Sequence, residues 1–224
     1  MNNKVIIFDL DGTLLDTIGD IRNAVNKALC QNGFIINYTR NEIESFIGSG
    51  EYILIKRALK KFNVCDEETI KTVRKTYNRF YASNCMNETK LFDNMEIVLK
   101  ELKNLGYKLV VFSNKPNTEV VPIVNYYFDN SLFSVVRGSF DNIPVKPNPK
   151  GLELIKEELG IATNSEIYYV GDSKVDMETG KNAGLFTIGV SYGYEDINVL
   201  KSYNPDLIID SPVELLNFFK NIWN

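Results

Sequence analysis

The sequence predicts an α/β protein: a doubly wound, mainly parallel sheet into which an all-helical domain is inserted. Three observations carry this. Short apolar runs rich in β-branched and aromatic residues recur at 4–8, 107–112, 133–137, 167–170, 186–190 and 207–209, the texture of strands buried on both faces. After residue 91 these runs alternate with helical stripes, as strand–helix–strand crossovers do. Between the first run and the others, residues 16–87 show only helical periodicity broken by turns. The expected organisation is a core of residues 1–15 and 88–224 with a helical cap of residues 16–87.

The first run, Lys4 to Phe8, leads directly into a polar, glycine-containing loop, Asp9-Leu10-Asp11-Gly12-Thr13. Ile18, Ile21, Val25, Ala28 and Leu29 fall on one helical face, and Asn32-Gly33 supplies its stop. Thr39 followed three residues later by Glu42 reads as a capping box for a short helix carrying Ile43, Phe46 and Ile47. Gly48-Ser49-Gly50 breaks that helix, and two more follow, through Leu54, Ala58 and Leu59 and through Ile70, Val73, Tyr77 and Phe80.

Met95, Val98, Leu99, Leu102 and Leu105 form a regular stripe closed by Gly106. The strand expected at 107–112 ends in a polar turn, Ser113-Asn114-Lys115-Pro116, ahead of a helix through Ile123, Val124 and Tyr127. Pro122 would have to fall in that helix's first turns. Asn148-Pro149 reads as an N-cap with proline at the first helical position, and Gly160 closes the helix. The strand at 167–170 runs into Gly171-Asp172-Ser173, and Ser211-Pro212 starts the last helix.

Composition narrows the chemistry. The chain has 224 residues, 25 Lys and Arg against 29 Asp and Glu, and a formal net charge of -4. That balance gives no reason to expect nucleic acid or an anionic membrane as partner. No apolar run approaches the roughly 18 residues of a membrane span. The three cysteines are widely spaced without a CxxC pair, so reduced thiols and a cytoplasmic location are expected. Histidine is absent altogether. Chemistry must therefore run on carboxylates, lysine, hydroxyls or a hard metal.

In an open α/β sheet, ligands bind at the carboxyl ends of the strands. Asp9 and Asp11, Ser113 and Asn114, and Asp172 all follow expected strands, and Lys146 precedes a helix. Each cluster alone could be an ordinary turn or cap. Together, at strand ends and a helix start, they converge. Asp9, Asp11, Asp172 and Asp176 cannot crowd together as bare anions, so a cation is required. Oxygen ligands without histidine select a hard metal such as Mg2+. Ser113 and Asn114 could donate to a phosphoryl group, and Lys146 could balance its charge.

With these residues in order, the chain resembles the haloacid dehalogenase-like hydrolase superfamily, with its Rossmann-like core. The family's DxDGT motif matches Asp9 to Thr13, its second motif Ser113, its third Lys146 and its fourth Asp172 with Asp176. The resemblance implies that Asp9 is the nucleophile, forming an aspartyl-phosphate, and a metal ligand. It implies that Asp11 is acid and base, with its backbone carbonyl on Mg2+. Asp172 would be a direct ligand, and Asp176 a ligand through water or an orienting neighbour. An acid at position 11 points to phosphate esters or anhydrides and away from dehalogenation. Phe46 to Gly50 and Lys56 to Leu59 resemble the phosphoglycolate phosphatase subgroup, which marks Ser49, Gly50 and Arg57 for substrate selectivity. The expected partner is a small phosphorylated metabolite, and the expected state a monomer or homodimer. A pyrophosphatase or nucleotide phosphatase, a sugar phosphomutase and a non-catalytic regulator remain the alternatives.

Overall fold

The structure is a computed structural model, and it describes residues 4–161 and 165–222. Its strands are β1 (Lys4–Phe8), β2 (Leu15–Asp16), β3 (Lys90–Leu91), β4 (Lys108–Pro116), β5 (Val135–Ser139), β6 (Glu166–Gly171), β7 (Phe186–Val190) and β8 (Leu207–Ile209). Its α-helices are α1 (Ile18–Gln31), α2 (Arg40–Glu44), α3 (Glu51–Leu59), α4 (Glu67–Asn84), α5 (Met95–Asn104), α6 (Asn117–Tyr127), α7 (Lys150–Glu158), α8 (Lys174–Asn182), α9 (Ile197–Ser202) and α10 (Pro212–Asn221). Two compact units result, one of residues 1–15 and 91–224 and one of residues 16–90.

In the first unit, β5-β4-β1-β6-β7-β8 form a six-stranded sheet, and its neighbouring strands pair in parallel. The order reverses direction at β1, the doubly wound pattern that places a ligand crevice beside that strand. Val5 and Ile7 pack on one face with Val110, Phe112, Leu152, Ile155 and Tyr169. Ile6 and Phe8, which alternate to the other face, are also fully buried. Burial on both faces explains why β1 reads as a continuous apolar run. β2 and β3, where the chain leaves this unit and returns, form a two-stranded sheet.

The second unit consists of α1 to α4 and a short 3-10 turn, Lys60–Phe62. Ile70, Val73, Tyr77 and Tyr81 are buried on α4. Thr39 and Glu42 form the expected capping box, and Gly48 and Gly50 both adopt left-handed backbone.

The structure departs from the sequence expectations at several places. Pro149 is itself the N-cap of α7, which starts at Lys150, so the helix starts one residue later than Asn148-Pro149 implies. β5 lies two residues further on than expected, at Val135–Ser139. α2 ends at Glu44, so Phe46 and Ile47 lie beyond the helix assigned to them. Pro122, the sixth residue of α6, falls within the helix's first two turns as expected. β4 does not stop at Phe112 but runs through the polar segment to Pro116. α9, capped by Asp196, went unanticipated because its six residues are too few to show a period. Among the described residues, no helix is long and apolar enough to cross a membrane.

Candidate active site

Because β4, β1 and β6 are adjacent and parallel, Ser113, Asp9 and Asp172 emerge side by side at the carboxyl edge of the sheet. The Asp9 N–H donates to the Val170 carbonyl at 2.9 Å, continuing the β1–β6 ladder. Asp172 follows β6, and Ser173 then caps α8. Asp176 is the third residue of that helix and returns its carboxylate to the Ser173 N–H (3.1 Å) and hydroxyl (2.6 Å). Asp176 thus belongs to a capping box and also lies beside the Asp9 and Asp172 carboxylates.

Carboxylate oxygens of Asp9, Asp172 and Asp176, all buried, lie within 4.8 Å of one another. Lys146 is buried beside them. Its Nζ lies 2.7 Å from Asp176 Oδ1 and 2.8 Å from Asp9 Oδ1, with the Phe112 and Tyr169 rings around it. The Asn114 carboxamide fixes the Lys146 backbone: its Nδ2 donates to the Lys146 carbonyl (3.1 Å), and its Oδ1 accepts from the Lys146 N–H (2.8 Å).

The electrostatics are unbalanced. Burial, then the neighbouring Asp176 charge, push the Asp9 carboxyl up to about 7 against the opposing pull of Lys146. Burial, Asp176 and Asp9 likewise hold the Asp172 carboxyl far above the usual range. Burial by itself would lower Lys146, but the Asp176 and Asp9 charges overcome it and keep the ammonium protonated. Asp9 Oδ1 also has no hydrogen-bond donor; the Lys146 contact is an ion pair without hydrogen-bond alignment. A buried carboxylate oxygen without a donor, among two more carboxylates and one ammonium, is costly. An oxygen-bound divalent cation removes that cost. The donor set fits Mg2+.

Asp172 is held on two further sides. The Thr13 hydroxyl reaches its Oδ1 at 3.3 Å, and the Tyr194 N–H donates to its Oδ2 at 2.8 Å. Gly193 lets that loop approach: a Cβ there would come within 2.1 Å of the Asp172 side chain. Gly193 and Tyr194 escaped the sequence reading, although the segment after β7 is also a strand end and obeys the same rule. Asp11 is not part of the close carboxylate group and pairs with Lys115, whose Nζ lies 3.0 Å from Asp11 Oδ1. Lys115 was visible only as part of a turn.

Ser49, Gly50 and Arg57 belong to the second unit. Gly50 caps α3. The Arg57 guanidinium donates to the Phe46 carbonyl at 2.8 Å and the Ile47 carbonyl at 3.2 Å, so it braces the loop that carries Ser49.

A family model described as haloacid dehalogenase-like hydrolase matches residues 6–190. The chain belongs to the haloacid dehalogenase-like hydrolases. Among members of this family, a phosphoglycolate phosphatase from Haemophilus influenzae (strain ATCC 51907 / DSM 11121 / KW20 / Rd) is 34% identical over 220 residues, covering 96% of this chain and 97% of its own. One from Psychrobacter arcticus is 33% identical, covering 97% and 96%. The crystal structure of a predicted phosphoglycolate phosphatase from Haemophilus somnus 129pt has a TM-score of 0.89 at 29% identity, covering 98% and 99%. The fold implied by the resemblance is thus shared along nearly the whole chain.

Proposed function

We propose that this phosphoric monoester hydrolase cleaves 2-phosphoglycolate, with Asp9 as nucleophile and Asp11 as general acid and base. The observation that carries the reading is Asp9 Oδ1, a buried carboxylate oxygen without a donor, beside Lys146 and within a carboxylate group suited to Mg2+. Asp9 attacks phosphorus in line, and the bond from phosphorus to the leaving oxygen breaks. Asp11 gives that oxygen its proton. Asp11 then takes a proton from water, which attacks the aspartyl-phosphate and releases phosphate and Asp9. The Ser113 hydroxyl, an Asn114 amide and the Lys146 ammonium hold the phosphoryl oxygens. With its carboxamide engaged on Lys146, Asn114 would serve through its backbone N–H.

Asp9, Asp172, Asp176 and the Asp11 carbonyl would hold Mg2+, with Asp176 bound directly or through water. When bound, the metal neutralises charge on the phosphoryl oxygens. The substrate follows from the names and full-length similarity of the relatives. Ser49, Gly50 and Arg57, in a cap of residues 16–87, are the proposed selectivity residues. A cytoplasmic location and a monomer or homodimer belong to the same reading.

The test is kcat/KM with Mg2+ across phosphoglycolate, pyrophosphate, nucleoside monophosphates and hexose phosphates. Phosphoglycolate is expected to lead by about tenfold or more. A preference for pyrophosphate, or isomerisation of a hexose phosphate in place of phosphate release, would overturn the substrate.

A further inference from the structure

We propose that Lys115 is a positioning residue for proton transfer, holding the Asp11 carboxylate in place to reach the leaving oxygen. The proposal rests on the reading of Asp11 as acid and base. The structure uses two buried lysines on different carboxylates: Lys146 lies against Asp9 and Asp176, and Lys115 against Asp11. The Lys115 side chain is 6% exposed and that of Asp11 18%. A buried ammonium is stable only when paired, and this pairing fixes where the Asp11 carboxylate stands relative to Lys115.

The backbone shows that this placement is built. In a regular strand, consecutive side chains alternate between faces. Ser113 and Lys115 would then share one face of the sheet and Asn114 the other. The ladder between β4 and β5 breaks at this point: four steps from Phe112 to Pro116 match two steps from Arg137 to Ser139. Such a bulge re-aims side chains and is often found beside active sites.

Local contacts hold the bulge. The Ser113 hydroxyl accepts from the Lys115 N–H at 3.2 Å. Opposite lies Gly138, where a Cβ would stand 2.6 Å from the Lys115 carbonyl oxygen and the Asn117 backbone. The Gly138 N–H donates to Asn117 Oδ1 at 2.9 Å. The bulge frees Asn114 to clamp Lys146 while Lys115 reaches Asp11. Orientation of an acid within hydrogen-bond reach of its target is a large part of its effect.

The test compares an alkyl phosphate, whose leaving alkoxide needs a proton, with p-nitrophenyl phosphate, whose leaving group needs little help. In the Mg2+-loaded protein, Lys115→Met is expected to lose about 10²-fold in kcat on the alkyl ester. The loss on the aryl ester should be at least about tenfold smaller. Lys115→Arg, which keeps a cation but moves its nitrogen, should show the same selectivity with a smaller loss; it carries the test if the methionine variant does not fold. In an Asp11→Asn background, Lys115→Met should cost little more on the alkyl ester.

Equal losses on both esters, or full additivity with Asp11→Asn, would overturn the proposal and make Lys115 a phosphate ligand. Asp11→Asn alone separates the two readings. If that variant loses both esters equally, the acid assignment itself fails. If it is selective and Lys115→Met is not, only the Lys115 proposal fails.

Discussion

Asp20 in the helical unit and Asp9 in the sheet unit are buried to similar degrees, 2% and 8% exposed, yet their surroundings differ. Asp20 sits in the first turn of α1, and four donors meet it. Its Oδ1 accepts from the Glu88 N–H at 2.9 Å. Its Oδ2 accepts from the N–H groups of Asn87 and Thr89 and from the Thr89 hydroxyl, at 2.8 to 3.1 Å. Those bonds tie α1 to the stretch that leads into β3. Asp9 instead has an oxygen without a donor and like charges nearby. Burial alone therefore says little about what a carboxylate does. Donors decide: a satisfied buried acid holds structure, and an unsatisfied one is held ready for a ligand or a reaction.

The sharpest way to break this comparison is to neutralise each acid. Asp9→Asn is expected to lose roughly 10⁴-fold or more in steady-state hydrolysis of any phosphate ester, since no nucleophile remains. The metal-free variant should nonetheless melt higher than the unaltered protein at pH 8, by on the order of 5 °C, because a penalised charge is gone. Retained turnover would remove Asp9 from its role. Asp20→Ala should behave oppositely. Stranding four donors should cost about 3 kcal/mol, read from urea unfolding, while kcat of the folded fraction on an aryl phosphate stays within about twofold. A stability change under about 1 kcal/mol would show that water replaces the carboxylate easily.

A second break uses pH. The Asp9 carboxyl ordinarily titrates near 3.8 and is raised to about 7 in the fold. Below the unfolded value both states are protonated, and the group costs nothing. Between about 4 and 7 the unfolded chain ionises while the folded one keeps its proton, so stability falls as pH rises. Above 7 both are ionised and the full penalty persists. Asp172, raised by the same kind of neighbours, acts in the same direction. The metal-free protein should lose thermal stability from pH 5 to pH 8. Saturating Mg2+ should raise the melting temperature more at pH 8 than at pH 5. Equal metal stabilisation at both pH values would mean that the raised carboxyls are not what the cation meets.

How much of this was legible beforehand follows from what each element depends on. β1 and β6 could be read because strands buried on both faces carry an unbroken apolar signal, and the strand-end rule then gathered Asp9, Ser113 and Asp172. The loop-spacing signals at Asn32-Gly33 and Thr39-Glu42 were legible because caps are local. The course of β4 through Ser113 to Pro116 was not, because its polar residues break the apolar pattern at the site, where site chemistry overrides propensity. The Lys115 pairing depends on a bulge opposite Gly138, and a bulge is a relation between two strands, not a property of either. The clamp of Tyr194 on Asp172 was missed for a related reason: a backbone N–H carries no residue-type signal.

The finest version of the comparison deletes one hydroxyl from each kind of carboxylate. The Thr89 hydroxyl donates to Asp20 at 2.8 Å, whereas the Tyr169 hydroxyl reaches Asp176 Oδ1 only at 3.4 Å. Asp176 already meets the Ser173 N–H, the Ser173 hydroxyl and the Lys146 ammonium, so the phenol is a marginal fourth donor at a distance where hydrogen bonds have weakened. Phenylalanine keeps the ring that lies beside Lys146. Thr89→Val is therefore expected to cost about 1 kcal/mol and Tyr169→Phe less than about 0.5 kcal/mol, both read from denaturant midpoints. If Tyr169→Phe costs more than Thr89→Val, the phenol is a principal donor to Asp176. The acidic group would then be better satisfied, and its demand for a cation smaller, than the distances around it imply.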